Sequence, residues 1–227
     1  MLRAFRRVSI APLIVLALLL AHGHVVARDA AANLTSDELS RLERGELVVR
    51  ESSERRGELR LIGGTAFQVV NASPDVVWQA LLDTAYYRRM LPELQSAQLV
   101  RETAKGSGVQ RIVNMTHGRG AAVASYSLSM QVDASKRDIA FRLDETRPHD
   151  IRAAWGFYTV RPHGRGRTLL VFGVLADPGD GLFKTVLRPA VQEWALRVPW
   201  MVKRFVEGSG RYIYKAKPAA PSVLSVR

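Results

Sequence analysis

The feature that most constrains the fold is a series of extended segments between Ser96 and Asp177. Short turn sequences separate them, namely AKGSG, HGRG, ASKRD, RPHD and RPHGRG. In SYSLSMQVD, apolar residues alternate with polar ones, which is the pattern of a strand with one buried and one solvated face. IAFRLD repeats this pattern, whereas TLLVFGVLA is apolar on both faces and needs cover on both sides. The region therefore predicts a meander of antiparallel strands, about six in number.

A long amphipathic segment follows the predicted sheet. From about Gly181 to Glu207 apolar residues recur at helical spacing, which predicts the longest helix of the chain. Pro189 suits a first turn, so we expect GLFKTVL to form a separate short helix. Pro199 should bend the long helix near its middle. The final KAKPAAPSVLSVR is rich in Pro and Ala and is expected to be disordered.

One strand and two short helices are predicted ahead of the meander. TAFQVV is strand-like, and the helix after it begins with Ser73 as N-cap and Pro74 at its first position. TAYYRRML is expected to add one or two turns that end at Pro92. An extension precedes this unit. In it, Thr35 and Glu38 have the spacing of a capping box and predict a short helix.

The rest of the extension reads as a hairpin. ELVVRE and GELRLIGG predict a hairpin or edge strands that lead to a turn at Gly63-Gly64. This extension could supply the second cover that TLLVFGVLA needs.

The N-terminus has the parts of a signal peptide. Three arginines lie among the first seven residues, and the apolar run 9–21 is as long as a signal-peptide core but short for a membrane span. Val25 and Ala27 fit a small-residue cleavage site, so we expect the mature chain to start at Arg28. An uncleaved signal that anchors the chain in a membrane is the alternative. The favoured prediction is an exported protein, periplasmic or secreted.

Composition restricts the chemistry and the partners. The 227 residues include no Cys, which excludes disulfides, thiolate nucleophiles and Cys-ligated metal sites. The formal net charge is +12, which falls to +9 when the three signal arginines are removed. Such a charge favours anionic lipid surfaces or acidic partners, although the scattered basic residues favour a merely well-solvated surface. Export makes nucleic acid a poor candidate.

No catalytic or cofactor motif is present in the sequence. His117, His149 and His163 lie at or beside predicted turns without metal-ligand spacing, so we expect surface roles for them. No serine lies in a G-x-S-x-G turn, and the glycine turns lack the helix of a phosphate-binding loop. We therefore predict no metal, no cofactor and no catalytic residue, and we expect a monomer.

Two stretches contain residues in an order that is typical of a known protein superfamily. They are NASPDVVWQALLD with the later Leu91-Pro92, and AAWGFYTVRPHGRGRTLLVFGVLADPG. The residues concerned are Ala72, Pro74, Val77, Trp78, Leu81, Asp83, Pro92, Trp155, Gly156, Gly166, Arg167 and Thr168. With the order of elements and the final helix, they resemble the SRPBCC superfamily, and within it the polyketide-cyclase and coenzyme-Q-binding START-type branch. The resemblance extends from roughly Thr65 to Tyr212.

This resemblance implies an α+β helix-grip fold. In that fold a curved antiparallel sheet wraps around a long C-terminal helix, two short helices follow the first strand, and an elongated apolar cavity remains inside. Members of the superfamily bind lipids, sterols, quinones or aromatic polyketides, and a minority are enzymes. The chain is accordingly divided into a signal peptide (1–27), an N-terminal helix and hairpin (28–64), an SRPBCC/START-like ligand-binding domain (65–212) and a disordered tail (213–227).

Inward-facing apolar residues are the candidates for the cavity wall, with core packing as their alternative role. The candidates are Met115, Tyr126, Leu128, Met130, Phe141, Trp155, Phe157, Trp194, Val198 and Met201, with Val113, Val171 and Phe205 beside them. Tyr126, Tyr158 and Arg111 could supply a polar end. Tyr86, Tyr87, Met90 and Leu91 are predicted to line an entrance, where Arg88 and Arg89 meet anionic head groups.

The leading hypothesis is a protein that binds, and so transports or sequesters, a hydrophobic ligand such as a lipid, quinone or isoprenoid. It is favoured because no catalytic constellation is present. One alternative is an enzyme of cyclase or dehydratase type that uses a buried Tyr, Arg or Asp as general acid or base. Another is an interaction module that works at the membrane surface through its basic face.

Overall fold

The computed structural model describes residues 33–119, 122–179 and 188–208. The predicted signal peptide, the GLFKTVL segment and the C-terminal tail lie outside these residues. Within the described ranges, none of the helices has the length and apolar character needed to cross a bilayer.

Eight strands and five α-helices make up the described structure. The helices are α1 (Ser36–Glu43), α2 (Pro74–Leu82), α3 (Tyr87–Met90), α4 (Arg188–Leu196) and α5 (Val198–Glu207), and a 3-10 turn covers Thr84–Tyr86. The strands are β1 (Val48–Arg56), β2 (Leu59–Val70), β3 (Leu94–Lys105), β4 (Gly108–Arg119), β5 (Ala122–Asp133), β6 (Asp138–Leu143), β7 (Ala153–His163) and β8 (Arg167–Asp177).

All eight strands belong to one curved antiparallel sheet with the order β1-β2-β8-β7-β6-β5-β4-β3. The larger of two cores lies between the concave face of this sheet and helices α2, α3 and α5. Val77 of α2 and Val202 of α5 are fully buried there, together with Val113 and Leu170 from the sheet. The predicted α+β helix-grip fold is therefore confirmed.

The smaller core lies on the outer face of the sheet, beneath α1. Leu42 of α1 packs there with Val48, Phe67, Phe157 and Val171. The predicted capping box is present: the Glu38 backbone N–H donates to Thr35 Oγ1, and the Thr35 backbone N–H donates to Glu38. The N-terminal extension thus supplies the second cover that the doubly apolar strand β8 requires.

The predicted turn at Gly63-Gly64 does not occur, because β2 continues through both glycines. Their φ angles are 150° and 143°, which only glycine adopts readily. A Cβ on Gly63 would lie 1.9 Å from the carbonyl oxygen of Val174 in β8, and one on Gly64 would lie 2.1 Å from that of Arg50 in β1. The two glycines therefore let β2 bend between close neighbours without losing its pairing with either.

The single bent C-terminal helix predicted from the sequence is in fact two helices. Helix α4 ends at Leu196, Arg197 forms the junction, and α5 begins at Val198. Pro199 lies in the first turn of α5, where it has no N–H to donate to the preceding turn. A first-turn position tolerates that loss, so the proline begins a new helix and does not merely kink one.

We expect Gly64→Ala to lower the free energy of unfolding by at least about 3 kcal/mol, since it combines a strained φ angle with a steric clash. Gly57→Ala is the matched control. Gly57 also has a positive φ, of 60°, but nothing lies within 4 Å of its added Cβ, so its cost should be about 1–2 kcal/mol. Urea unfolding of both variants measures the difference, and equal losses would contradict this account of β2.

Candidate functional site

A cavity of about 190 Å³ lies between the concave face of the sheet and the helices. Strands β4 to β8 form one wall, and α3 with the loop behind it, α4 and the start of α5 form the other. Most of the lining is apolar, and the cavity is partly open to solvent. Such a space within a close-packed core is the arrangement of a small-molecule site.

Seven of the ten predicted cavity residues lie in this wall. They are Met115, Tyr126, Leu128, Met130, Phe141, Trp194 and Val198, and Tyr158 from the predicted polar end joins them. In the β4–β5 ladder Met115 pairs with Tyr126, so alternate residues of both strands face inward as the period of two predicts. Val113 and Phe205 are buried in the surrounding core but are not part of the wall.

Trp155 and Phe157 were predicted to face the cavity, and this is wrong. The structure places Ala154 and Tyr158 in the wall, so the two residues with odd numbers point to the opposite face. Phe157 packs in the core under α1, as Val171 also does, and the Arg56 guanidinium lies 5.2 Å from the Trp155 ring centroid. Strand β7 is covered on both faces, so its sequence is apolar on both and gives no indication of which face is inward.

Met201 is also outside the cavity wall. It is half-buried, whereas Val198, Val202 and Phe205 are the buried residues of α5. Met201 therefore lies at the edge of the inward face of α5, which Val198, Val202 and Phe205 occupy.

Three aromatic rings form the floor of the cavity. The Tyr158 and Phe172 ring centroids are 4.7 Å apart, and the Phe141 ring lies 5.7 Å from Tyr158. Phe141 lies over Gly156 of the neighbouring strand, where an added Cβ would approach the ring to 2.5 Å. The missing side chain of Gly156 in β7 therefore makes room for the Phe141 ring.

His117 was expected at a turn on the surface, but it lies within β4 and lines the cavity. Its Nδ1 is 3.0 Å from the hydroxyl of Tyr126, and the two rings are stacked with a 7° angle between their planes. Burial lowers the pKa of His117 to about 4 and raises the pKa of Tyr126 above its ordinary value. The alternation of Val113, Met115 and His117 was the signal that could have identified it.

The other two cavity tyrosines are also kept neutral by burial. The Tyr87 hydroxyl donates to the carbonyl oxygen of Leu81 at 2.8 Å, and burial raises its pKa to about 12. Burial, with Tyr87 and Tyr126 nearby, raises the pKa of Tyr158 well above its ordinary value. At neutral pH the His and Tyr groups of the cavity are therefore uncharged, yet capable of hydrogen bonding.

The six predicted entrance residues do not act as one group. Tyr87 and Leu91 line the cavity, whereas Met90 is buried in the core. Tyr86 packs on Phe205 at 5.2 Å between ring centroids. Arg88 and Arg89 are exposed, and the guanidinium of Arg89 lies 5.9 Å from the Tyr86 ring. Contact of these arginines with head groups stays a prediction.

Arg111 and the remaining histidines lie away from the cavity. Arg111 donates to the carbonyl oxygen of Leu82 at the end of α2 and pairs with Glu102. His149 contacts the carbonyl of Ile151, and His163 contacts Glu43. In the described part of the chain, no three His, Asp or Glu side chains are grouped so as to hold a metal ion.

The sheet, its covering helices and the cavity between them define a helix-grip protein. The family model for polyketide cyclase / dehydrase and lipid transport proteins matches residues 64–207, and the chain belongs to this family. No protein with a curated description matches the sequence.

Two solved structures with TM-scores above 0.5 share the fold, and a third is similar at a lower score. The STAR-related lipid transfer protein from Xanthomonas axonopodis is 14% identical, with a TM-score of 0.52 over 69% of this chain and 98% of that one. TTHA0849 from Thermus thermophilus is 17% identical, with a TM-score of 0.51 over 62% and 93%. The Zhui aromatase/cyclase from Streptomyces is 18% identical, with a TM-score of 0.46 over 72% and 99%. At these identities the likeness concerns the fold alone.

We expect His117 to make the protein less stable in mild acid. Its pKa is about 4 in the folded state against an ordinary value of 6.5, so the unfolded chain takes up the proton first as the pH falls. The free energy of unfolding should therefore drop between pH 6.5 and 4, by about 2 kcal/mol at pH 5.

Urea unfolding at pH 7 and pH 5 tests this expectation. His117→Gln should reduce the loss of stability between the two pH values by that amount, because it removes the titrating group. Asn114→Gln, on the exposed side of the same strand, neither adds nor removes an ionisable group and is the control, so it should leave the loss unchanged. An identical pH dependence in wild type and His117→Gln would show that His117 is not held neutral.

Proposed function

We propose that the protein binds a hydrophobic small molecule of the lipid, quinone or isoprenoid kind in the cavity between sheet and helices, and so carries or sequesters it. The observation that supports this most directly is the unfilled apolar space itself, because protein cores are otherwise close-packed. Membership of a family described by cyclisation, dehydration and lipid transport agrees with an apolar ligand.

The size of the space limits the ligand. About 190 Å³ is below the roughly 300–1,000 Å³ of pockets for drug-sized ligands. The described walls therefore suit one acyl or isoprenoid chain segment, or one ring system, better than a bulky multi-ring molecule. The partly open end leaves room for the rest of a longer ligand to extend outward.

A cyclase or dehydratase that acts on a hydrophobic or aromatic substrate in the same cavity is the second candidate. The observation in its favour is the hydrogen-bonded pair of His117 and Tyr126 in the wall. General acid–base catalysis works best with a pKa near the operating pH. Here burial moves the pKa of His117 down and that of each cavity tyrosine up. At neutral pH these groups are therefore suited to hydrogen bonding with a ligand, and a catalytic role would require substrate binding to bring a pKa back toward neutrality.

The cavity should take up the neutral fluorescent probe N-phenyl-1-naphthylamine, and Ala124→Phe should abolish most of that uptake, because the new ring would occupy the cavity. Val123→Phe is the matched control: Val123 is the neighbouring residue of β5 and is 44% exposed, so probe binding should persist. Fluorescence titration of both variants measures this. If Ala124→Phe bound the probe as tightly as the control, the cavity would not be the site.

We also propose that the chain is exported and cleaved after Ala27, as the charged and apolar pattern of its first residues supports. Expression of the full chain in a bacterium should yield a periplasmic protein whose intact mass corresponds to a start at Arg28. Ala27→Leu should block cleavage, whereas Ala31→Leu, beyond the site, should not. A wild-type chain recovered from membranes with residues 1–27 attached would favour the uncleaved anchor.

A further inference from the structure

We propose that the ligand is an uncharged molecule with a hydroxyl or carbonyl group on an apolar body, and that this group binds at His117 and Tyr126. A carboxylate of the same size and shape would be selected against. This inference rests on the proposed function, because it concerns the ligand of the same cavity.

The hydrogen-bonding capacity of the pair supports the first part. The Tyr126 hydroxyl and His117 Nδ1 bond to each other at 3.0 Å, and a neutral imidazole has one N–H and one bare nitrogen. If Tyr126 donates, the His117 Nε2–H remains as a donor and the phenol oxygen as an acceptor. If Nδ1 donates, the phenol O–H remains as a donor and Nε2 as an acceptor. In either tautomer the pair offers the cavity one donor and one acceptor.

A ligand hydroxyl can accept a hydrogen bond from the donor of the pair and donate one to its acceptor. A ligand carbonyl can only accept from the donor. Tyr158 adds a second phenol on the same wall. Its side chain is only 8% exposed, and Tyr126 lies near enough to oppose the ionisation of Tyr158. The polar part of the cavity is thus built from groups suited to a neutral ligand group.

The charges around the cavity support the second part. Among the described lining residues there is no Lys or Arg, and Glu93 is the one carboxylic acid. Arg111, two alternations from Met115 on β4, is engaged with Glu102 and with the carbonyl of Leu82. A carboxylate ligand would therefore lose its hydration without gaining a cation from the described walls, and it would share the cavity with Glu93.

The test compares three ligands of matched chain length on the mature protein: decan-1-ol, methyl decanoate and decanoate. Each is titrated at pH 7.5 against protein loaded with N-phenyl-1-naphthylamine, and displacement gives its affinity. We expect the alcohol and the ester to bind at least about tenfold more tightly than decanoate, a ratio that corresponds to roughly 1.4 kcal/mol.

Two variants assign the preference to the proposed pair. Tyr126→Phe and His117→Phe should each weaken decan-1-ol about five- to tenfold, since each removes a hydrogen bond to the ligand or leaves its hydroxyl unpaired. The probe affinity of each variant is measured first, so that displacement can be corrected for it, and a far-UV circular dichroism spectrum like that of the wild type shows that the variant is folded. His163→Phe, outside the cavity, is the control. If one variant fails to fold, the other carries the test.

The outcomes separate the two proposals. Decanoate that binds as tightly as decan-1-ol would overturn this inference and leave the hydrophobic-ligand function standing. A preference for the alcohol that both variants retain would overturn the assignment to His117 and Tyr126. If neither the probe nor any of the three ligands binds, the proposed function itself fails and the inference falls with it.

Discussion

Helix α5 is shorter than the strands on which it packs, and the cavity lies beside its first turn, between the sheet and α4. Strands β4 and β5 each have 12 residues and extend about 40 Å at 3.3 Å per residue. Helix α5 has 10 residues and extends about 15 Å. It therefore covers only part of the concave face, where Val202 and Phe205 complete the core. On the N-terminal side of Val198, the sheet lies under α4 and the loop after α3. The space between the sheet and these segments is the cavity.

The His and Tyr side chains of the cavity are largely buried and uncharged, and this defines what the cavity can bind. Besides Glu93, the ionisable groups of the described wall are three phenols and an imidazole, and burial shifts the pKa of each phenol and of the imidazole toward the neutral form. A neutral group can be carried into an apolar cavity at modest cost if it finds one partner, as Tyr126 and His117 do in each other. An ionised group would need a counter-charge as well. The same burial that allows these side chains to line a hydrophobic cavity therefore makes them weak acids and bases.

The sequence predicted most reliably those elements that are buried on one side only. In β5 the alternation of Tyr126, Leu128 and Met130 with polar residues fixed both the strand and its inward face. Strand β7 is buried on both sides, so nothing in its composition distinguished Trp155 from its neighbours. Only the pairing partners, which are distant in sequence, determine which face of such a strand is inward.

Other differences between prediction and structure arose where local signals competed. The predicted turn at HGRG does separate β4 from β5, but β4 continues through His117 and Gly118 to Arg119. Because the turn was predicted to start at His117, this residue was expected at the surface and not in the cavity wall. At Gly63-Gly64 no turn occurs, because a glycine also permits a strand to bend or a neighbour to approach closely. Pro199 is expected to bend one helix, yet a proline is equally suited to begin a new one, as it does in α5. Sequence spacing alone does not decide between these alternatives.

The smaller core explains why the folded unit extends beyond the residues that define the family. The family match begins at residue 64, within β2, yet β1 and α1 lie before it. Phe157 and Val171 face the outer side of the sheet and would be exposed there without Leu42 and Val48 to cover them. Glu43 of α1 adds to this contact, since it forms an ion pair with Arg167 and a hydrogen bond with His163 at the β7–β8 hairpin. Strands β7 and β8 supply Tyr158 and Phe172 to the cavity from their other face, so α1 stabilises the back of the cavity wall.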